Sequence, residues 1–338
     1  MGKVLTIVVP SYNVEAYLER GLQSFCDERL ANALEVIVVN DGSSDATPQI
    51  AQRFVDREPR IFRLISKENG GHGSTINAGL DAATGRYFRV ADGDDWVDTD
   101  GLVELIAKLE HTDADLVIDK KREVDMKTGE SRLFELAPGT VVGEVLPFSH
   151  VCPDPAISAQ IMIHTLTVRT EHMRSTGMRL LEHTFYEDYE YIVKASFPAT
   201  SIEFFDIEVY QYLVGNAGQS VSHANYVKRW DDHERVVWEL LRYLAECRER
   251  AGHLSPEALE YLEYKVHLII DTHYNIALLF DDNKRRGRAR ARTFRDKLKT
   301  FDGRQWEWGN RRYCQALVLN RLGIGYGFAE RLRKRRHL

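Results

Sequence analysis

Four short apolar runs, Leu5–Val9, Glu35–Asn40, Phe62–Ser66 and Tyr87–Ala91, punctuate the first third of the chain. Between and after them, Val14–Glu28, Ala46–Arg57, Ser74–Ala83 and Asp100–Leu109 carry apolar positions at three- and four-residue spacing. Strand-length runs alternating with helix-length patterns leave few ways to fold. Right-handed crossovers and a mostly parallel sheet, covered by helices on both faces, satisfy them. A fifth strand, Asp115–Lys120, precedes a hairpin through Lys127-Thr128-Gly129. Residues 130–225 mix short strands with loops, and beyond them the pattern is wholly helical. One helix is expected over Asn225–Arg250. A second is opened by Ser255-Pro256-Glu257 and runs to about Phe280, with two or three more reaching Arg335.

In an open parallel sheet, ligands bind beyond the carboxyl ends of the strands. Four loops leave those ends: Pro10-Ser11-Tyr12-Asn13, Asp41-Gly42-Ser43-Ser44-Asp45, Asn69-Gly70-Gly71-His72-Gly73 and Asp92-Gly93-Asp94-Asp95. All are polar, glycine-rich or acidic, and all open onto one crevice. In the last, three carboxylates within four residues repel one another unless a cation or hydrogen-bond donors neutralise them. Mg²⁺ or Mn²⁺ takes such oxygen ligands, with substrate phosphates completing the shell. The plainer alternative is an acidic turn capping the helix at Asp100; a calcium loop fails because the EF-hand spacing is absent. Asp41 ends its strand where a carboxylate can accept the N–H of a nucleobase, or else cap a helix with an Asx-type turn. A dinucleotide-binding fingerprint fails too, since Ile76 stands where the third glycine belongs.

Length and charge add bounds. At 338 residues with 43% hydrophobic and 28% charged, the chain can bury a sizeable core, roughly two domains' worth. Disordered, collagen-like and disulfide-built classes are excluded. The four cysteines form no C-x-x-C pair, which excludes zinc ribbons and thioredoxin-like motifs and fits a reducing cytosol. Val4–Val9, ended by Pro10, is too short for a signal-peptide core or a membrane span, so a soluble or surface-attached protein is expected. The net charge of -6 hides an asymmetry: residues 284–338 hold 18 basic and 4 acidic side chains, leaving 27 basic and 47 acidic in residues 1–283. An acidic body argues against nucleic acid, while the basic end suits an anionic surface.

The runs Ile7-Val8-Val9-Pro10-Ser11-Tyr12-Asn13, Val38-Val39-Asn40-Asp41-Gly42-Ser43-Ser44-Asp45, Asn69-Gly70-Gly71 with Asn77-Ala78-Gly79, and Ala91-Asp92-Gly93-Asp94-Asp95-Trp96 resemble the family-two glycosyltransferases in order and spacing. The resemblance covers about residues 3–120. It implies a GT-A fold, a nucleotide-sugar donor that is most often UDP-linked, a divalent metal (Mn²⁺ or Mg²⁺) and inversion at the anomeric carbon. The donor-binding set it implies is Pro10, Tyr12, Asn13, Asp41, Asn69, Gly71, Asn77, Asp92 and Asp94, with Asp94, Asp92 and Asp95 on the metal. One departure stands out: Ile76 occupies the place of an arginine, for which His72 or Lys67 is the available substitute. Leu213 after Tyr212 is a second departure.

Inversion needs a general base for the acceptor hydroxyl. The segment Glu182-His183-Thr184-Phe185-Tyr186-Glu187-Asp188-Tyr189-Glu190-Tyr191 resembles the family's aromatic-rich Glu-Asp motif, which implies Asp188 as base, with Glu187 second and Glu190 third. An acidic first turn for the following helix is the plain alternative, and the two are compatible. His223, after Ser220-Val221-Ser222, reads as a solvated loop histidine rather than a ligand. The organisation expected is a GT-A domain over 1–224, divided into a nucleotide-sugar half (1–120) and an acceptor half (121–224). A helical region with a basic tail follows over 225–338. Arg285, Arg286, Arg288, Arg290 and Arg292, then Arg311, Arg312, Arg321, Arg331, Arg333, Lys334, Arg335 and Arg336 among aromatic and leucine residues, suit an interfacial helix. Peripheral attachment to the inner face of the cell membrane, near a lipid-linked glycan acceptor, is expected from a cytoplasmic protein; a self-packed bundle or homo-oligomer interface is the competing account. A catalytically silent nucleotide-sugar-binding module is the alternative to an enzyme.

Overall fold

Strand β1 (Leu5–Ser11) is buried along its whole length, as a strand covered on both faces must be, and this is why its sequence is continuously apolar rather than alternating. Leu5, Ile7 and Val9 belong to one core with Leu18 and Leu22 of α1 (Glu15–Gln23) and Ile50, Ala51 and Phe54 of α2 (Thr47–Arg57). Val8 points to the opposite face, where α3 (His72–Ala82) crosses. A Cβ on Gly79 would lie 2.4 Å from a Val8 methyl, so the residue crossing there must be glycine. The same alternation continues through β2 (Leu34–Asn40), β3 (Phe62–Ser66) and β4 (Tyr87–Val90).

A computed structural model describes residues 2–215, 222–250 and 254–326. The chain divides into two units, residues 1–218 and 219–338. In the first, β5 (Trp96–Val97) and α4 (Thr99–Leu109) lead to β6 (Leu116–Asp125), which turns into β7 (Ser131–Phe134) as the hairpin signal requires. Then come β8 (Leu146–Pro147), the short helices α5 (Phe148–Val151) and α6 (Pro155–Ser158), β9 (Leu166–Arg169), α7 (Thr170–Ser175), α8 (Glu187–Ser196) and β10 (Ser201–Val214). The sheet runs β3-β2-β1-β4-β9-β6-β10-β5, with β7 on β6 and β8 on β10. Pairing is parallel from β3 through β4 and again between β6 and β10. β9 enters antiparallel between β4 and β6, and β5, β7 and β8 also pair antiparallel with their neighbours. The insertion of β9 brings the segment leading into it beside the carboxyl end of β4.

The second unit is helical: α9 (His223–Lys228), α10 (Trp230–Glu249), α11 (Pro256–Asn275) continuing as a π-turn over Ile276–Phe280, α12 (Lys284–Phe301) and α13 (Gly303–Arg321). The single helix expected over Asn225–Arg250 is two. The backbone leaves helical geometry at Arg229 (φ -100°, ψ 34°), and α10 restarts with Trp230 buried and Asp231 and Asp232 in its first turn. Ser255 caps α11 by accepting from Ala258 N, with Pro256 in the first turn. Several tail arginines serve this packing: Arg286 pairs with Asp281, Arg288 reaches Asn320 and Arg312 grips Asn275. Arg285, Arg292, Arg304, Arg311 and Arg321 are exposed. Phe328, Arg331, Arg333, Lys334, Arg335 and Arg336 lie outside the described residues, as do Ser220 and Val221. His223 is solvent-exposed as expected, but it opens α9 rather than sitting in a loop, and it stacks on Phe280 with ring centroids 4.1 Å apart.

Candidate active site

The four loops meet at one end of the β3-β2-β1-β4 strands and are tied to one another. Asn13, at φ +53°, accepts from Ser44 N at 2.9 Å, and its own N–H donates to Ser43 Oγ at 3.0 Å. Pro10 is buried at the end of β1, while Tyr12 stands 53% exposed. Asp41 is buried, and a buried carboxylate must have its lone pairs filled. It accepts from Lys67 Nζ (2.9 Å), Asn69 Nδ2 (3.1 Å), Gly70 N (2.9 Å) and Gly71 N (2.8 Å). Asp41 therefore shapes the glycine-rich loop, and the base-contact reading requires a nucleobase to exchange with one of these donors. Lys67, also bonded to Ser74, is spent in the same network. It is not a loose substitute for the arginine replaced by buried Ile76.

The acidic loop places its three carboxylates in different surroundings. Asp95 is buried, accepting from the Tyr210 hydroxyl at 2.6 Å and from Leu213 N at 2.8 Å. The Tyr210 oxygen in turn accepts from Asp92 N at 3.0 Å. Tyr210 and Asp95 thus anchor the loop to β10. Burial works against the ionised Asp92, yet His164 and His72 beside it hold its carboxyl well below the usual carboxylate range. At Asp94, burial and the neighbouring Asp92 outweigh the opposing charges of His72 and Arg20 and push its carboxyl up to about 6.

Asp92, Asp95 and His164 place one ligand atom each within 4.8 Å of one another. Two carboxylates and one imidazole suit a divalent cation such as Mn²⁺, which accepts both oxygen and nitrogen donors. Asp94 of the expected metal set is not in this group. His164 is the residue that sequence reasoning missed. It sits in the irregular region before β9, its ring stacks on Tyr212 at 4.3 Å, and its carbonyl accepts from Arg89 Nη2 at 2.6 Å. Arg89 itself is buried and paired with Asp119 and Thr167 beneath the crevice.

Across the crevice, α8 opens at Tyr186, whose φ of +73° turns the chain into the helix. Glu187 is buried and bonds His72 Nδ1 at 2.7 Å; the other ring nitrogen of His72 bonds Asp92 at 3.0 Å. Asp188 is exposed to the crevice, where the surrounding protein and the charge of Glu187 push its carboxyl up to about 6. That places it near the working range of a general base. Glu190 is fully buried, accepts from Lys194 Nζ at 2.7 Å and Leu181 N at 3.1 Å, and faces away from this chemistry. Asn77, expected in the donor-binding set, also spends its amide inside the protein. Its amide donates to Leu180 O at 3.1 Å and accepts from Leu180 N at 3.0 Å, so it clamps the segment leading to α8. Gly71 (φ +86°) packs where a Cβ would lie 3.2 Å from His183 N.

The family described as Glycosyl transferase family 2 matches residues 6–189. Glycosyltransferase GlyA of Streptococcus pneumoniae is 38% identical over 34% of the chain. Succinoglycan biosynthesis protein ExoO of Rhizobium meliloti is 33% identical over 39% of it. These matches span 16% and 37% of the two relatives' own lengths. Among solved structures, S. aureus TarS 1-349 in complex with UDP-GlcNAc superimposes with a TM-score of 0.65 at 17% identity, over 96% of this chain and 93% of that one. At that identity the likeness is one of fold.

Proposed function

Because the chain belongs to glycosyl transferase family 2, we propose that it transfers a sugar, with inversion, from a UDP-linked donor to a hydroxyl of a surface polysaccharide, teichoic acid or lipid-linked glycan. The observation that carries the reading is the convergence of the acidic loop with the start of α8, joined through His72 at 3.0 and 2.7 Å. Donor carboxylates and a raised-pKa base thus line one crevice.

In this reading Pro10, Tyr12, Asn13 and Asp41 flank the nucleoside, and Asn69 and Gly71 line the diphosphate path. Asp92, Asp95 and His164, with Asp94 at the rim, would hold Mn²⁺ or Mg²⁺. When bound, the cation neutralises charge developing on the leaving diphosphate. Asp188 accepts the proton of the acceptor hydroxyl as it attacks the anomeric carbon, from the face opposite the departing phosphate. Its pKa of about 6 leaves it largely ionised at neutral pH, yet basic enough to take a proton. Glu187, held by His72, is kept from that role.

A panel of nucleotide sugars with and without Mn²⁺ tests the donor, since a ligand that binds the native state must raise the melting temperature. Transfer and donor-hydrolysis assays test turnover. Asp188→Ala should cost about 10²- to 10⁴-fold in kcat, and Asp94→Ala should weaken donor use. Unchanged turnover in both variants would sink the mechanism. Tight UDP-sugar binding with no turnover on any acceptor would favour a silent binding module.

We also propose peripheral attachment at the cytoplasmic face of a membrane. The described part of the basic end exposes Arg304, Arg311 and Arg321 beside Trp308 and Val318 on α13 and Leu322 just past its end. Among the described residues no helix is long and apolar enough to cross a membrane. Deleting residues 311–338 should abolish binding to anionic liposomes. Retained binding would point instead to a self-packed bundle or a homo-oligomer.

A further inference from the structure

The donor half and the acceptor half of the first unit meet along the N-terminal turns of α3. Four of the contacts along that seam bear on the site. His183 N donates to Gly70 O at 2.5 Å. Gly73 lies so close to the next segment that a Cβ there would stand 2.4 Å from Leu181 O and 3.0 Å from Glu187 Cγ. Asn77 clamps both backbone groups of Leu180. His72 bonds Glu187. Three of these join α3 and the loop before it to the acceptor half and go no further. His72 alone among them also crosses to the acidic loop, where its Nε2 meets Asp92 Oδ1 at 3.0 Å.

The chemistry of that crossing is restrictive. Carboxylates only accept, so a ring with a carboxylate on each nitrogen donates from both. Charge-assisted bonds of 2.7 and 3.0 Å are directional as well as strong, and two on one rigid ring fix the distance between the groups they hold. Glu187 is the first residue of α8 and Asp188 the second, so restraining the Glu187 carboxylate restrains the backbone that aims Asp188. Asp92 is likewise the first residue of the acidic loop.

We propose that His72 is a positioning residue that holds the base-bearing start of α8 at a set distance from the donor carboxylates. This rests on the glycosyltransferase reading, with Asp188 as base. His72 does not touch the reacting atoms; it acts through Glu187 and Asp92. A contact to the donor would make it a binding residue instead, and the two roles separate in kinetics.

The test compares full-length wild type, His72→Phe and His72→Gln. Phe keeps bulk and removes both bonds, whereas Gln can retain one. For His72→Phe, kcat should fall by about 10²-fold, as a small misplacement of a catalytic group does. Donor KM and the affinity for UDP with Mn²⁺ should stay within about threefold, and His72→Gln should lie between. In protein free of nucleotide and metal, amide exchange over residues 187–191 should rise in His72→Phe and less in His72→Gln. Unchanged kcat and unchanged exchange in both variants would overturn the proposal. So would weakened UDP binding with kcat intact. If His72→Phe shows no cooperative melt, His72→Gln carries the comparison. A wild type that turns over no donor refutes the glycosyltransferase reading, while the exchange measurement still decides whether His72 couples the two segments.

Discussion

Replacing Arg89 by methionine removes the cation from beneath the crevice and exposes the energetics of the site's foundation. In the native protein its guanidinium holds Asp119 through both nitrogens, Thr167 Oγ1 at 3.1 Å and the His164 carbonyl at 2.6 Å, and both charged side chains are fully buried. Methionine fills the space but strands the Asp119 carboxylate. Breaking a buried pair in this way costs about 3–5 kcal/mol, because the remaining charge has neither water nor partner. For a unit of 218 residues, each kcal/mol lowers the melting temperature by about 2–4 °C, so a drop of roughly 6–20 °C is expected. The pH dependence gives a sharper check. Burial pushes the Asp119 carboxyl up to about 6 even with Arg89 beside it, and without the cation it climbs further. A folded pKa above the unfolded one means that ionisation costs stability as pH rises past the unfolded value. The deficit of Arg89→Met relative to wild type should therefore grow between pH 5 and pH 8, followed by thermal melts of the full chain. Arg89→Met with Asp119→Leu should recover most of the loss, since apolar replacement of a whole buried pair is close to neutral. A deficit below about 1 kcal/mol, or one that shrinks as pH rises, would refute the argument.

Further expectations follow from the same contacts. The kcat/KM profile should bend downward below about pH 6, the value to which Asp188 is raised, because a protonated carboxyl cannot accept the acceptor's proton; a profile flat to pH 5 would exclude Asp188 as base. Gly73→Ala forces a methyl to within 2.4 Å of Leu181 O and should destabilise by about 1–3 kcal/mol as overpacking does, which an unchanged denaturant midpoint would contradict. Tyr210→Phe removes the hydroxyl bonded to Asp95 and Asp92 N. It should cost about 1–3 kcal/mol for the unsatisfied buried carboxylate and weaken Mn²⁺ binding measured by calorimetry.

How much of this was legible in the chain follows from where each signal originates. Strands β1 and β2 were readable because burial on both faces writes itself as a continuous apolar run, whereas β3, half-exposed at the sheet edge, was readable from its place in the strand–helix alternation. The acidic loop was readable because three carboxylates in four residues are costly without a counter-charge, whatever surrounds them. The roles of Asp41, Asn77 and Glu190 were not, since residue type tells only that a polar group needs partners. Asp41 spends its acceptors on the 67–71 loop, Asn77 on Leu180 and Glu190 on Lys194 and Leu181. The break at Arg229 had no glycine or proline to announce it. His164 was the least readable of all: its place beside Asp92 exists only because β9 inserts antiparallel next to β4, a pairing without local signature. The same reasoning explains why His72 was visible as a polar loop residue yet not as a bridge. A histidine declares what it can bond, and only the fold decides that Asp92 and Glu187 stand on its two sides. The carboxylates proposed for donor and base are therefore each announced by a local motif, whereas the histidines proposed to ligate and to align them are brought there by long-range topology.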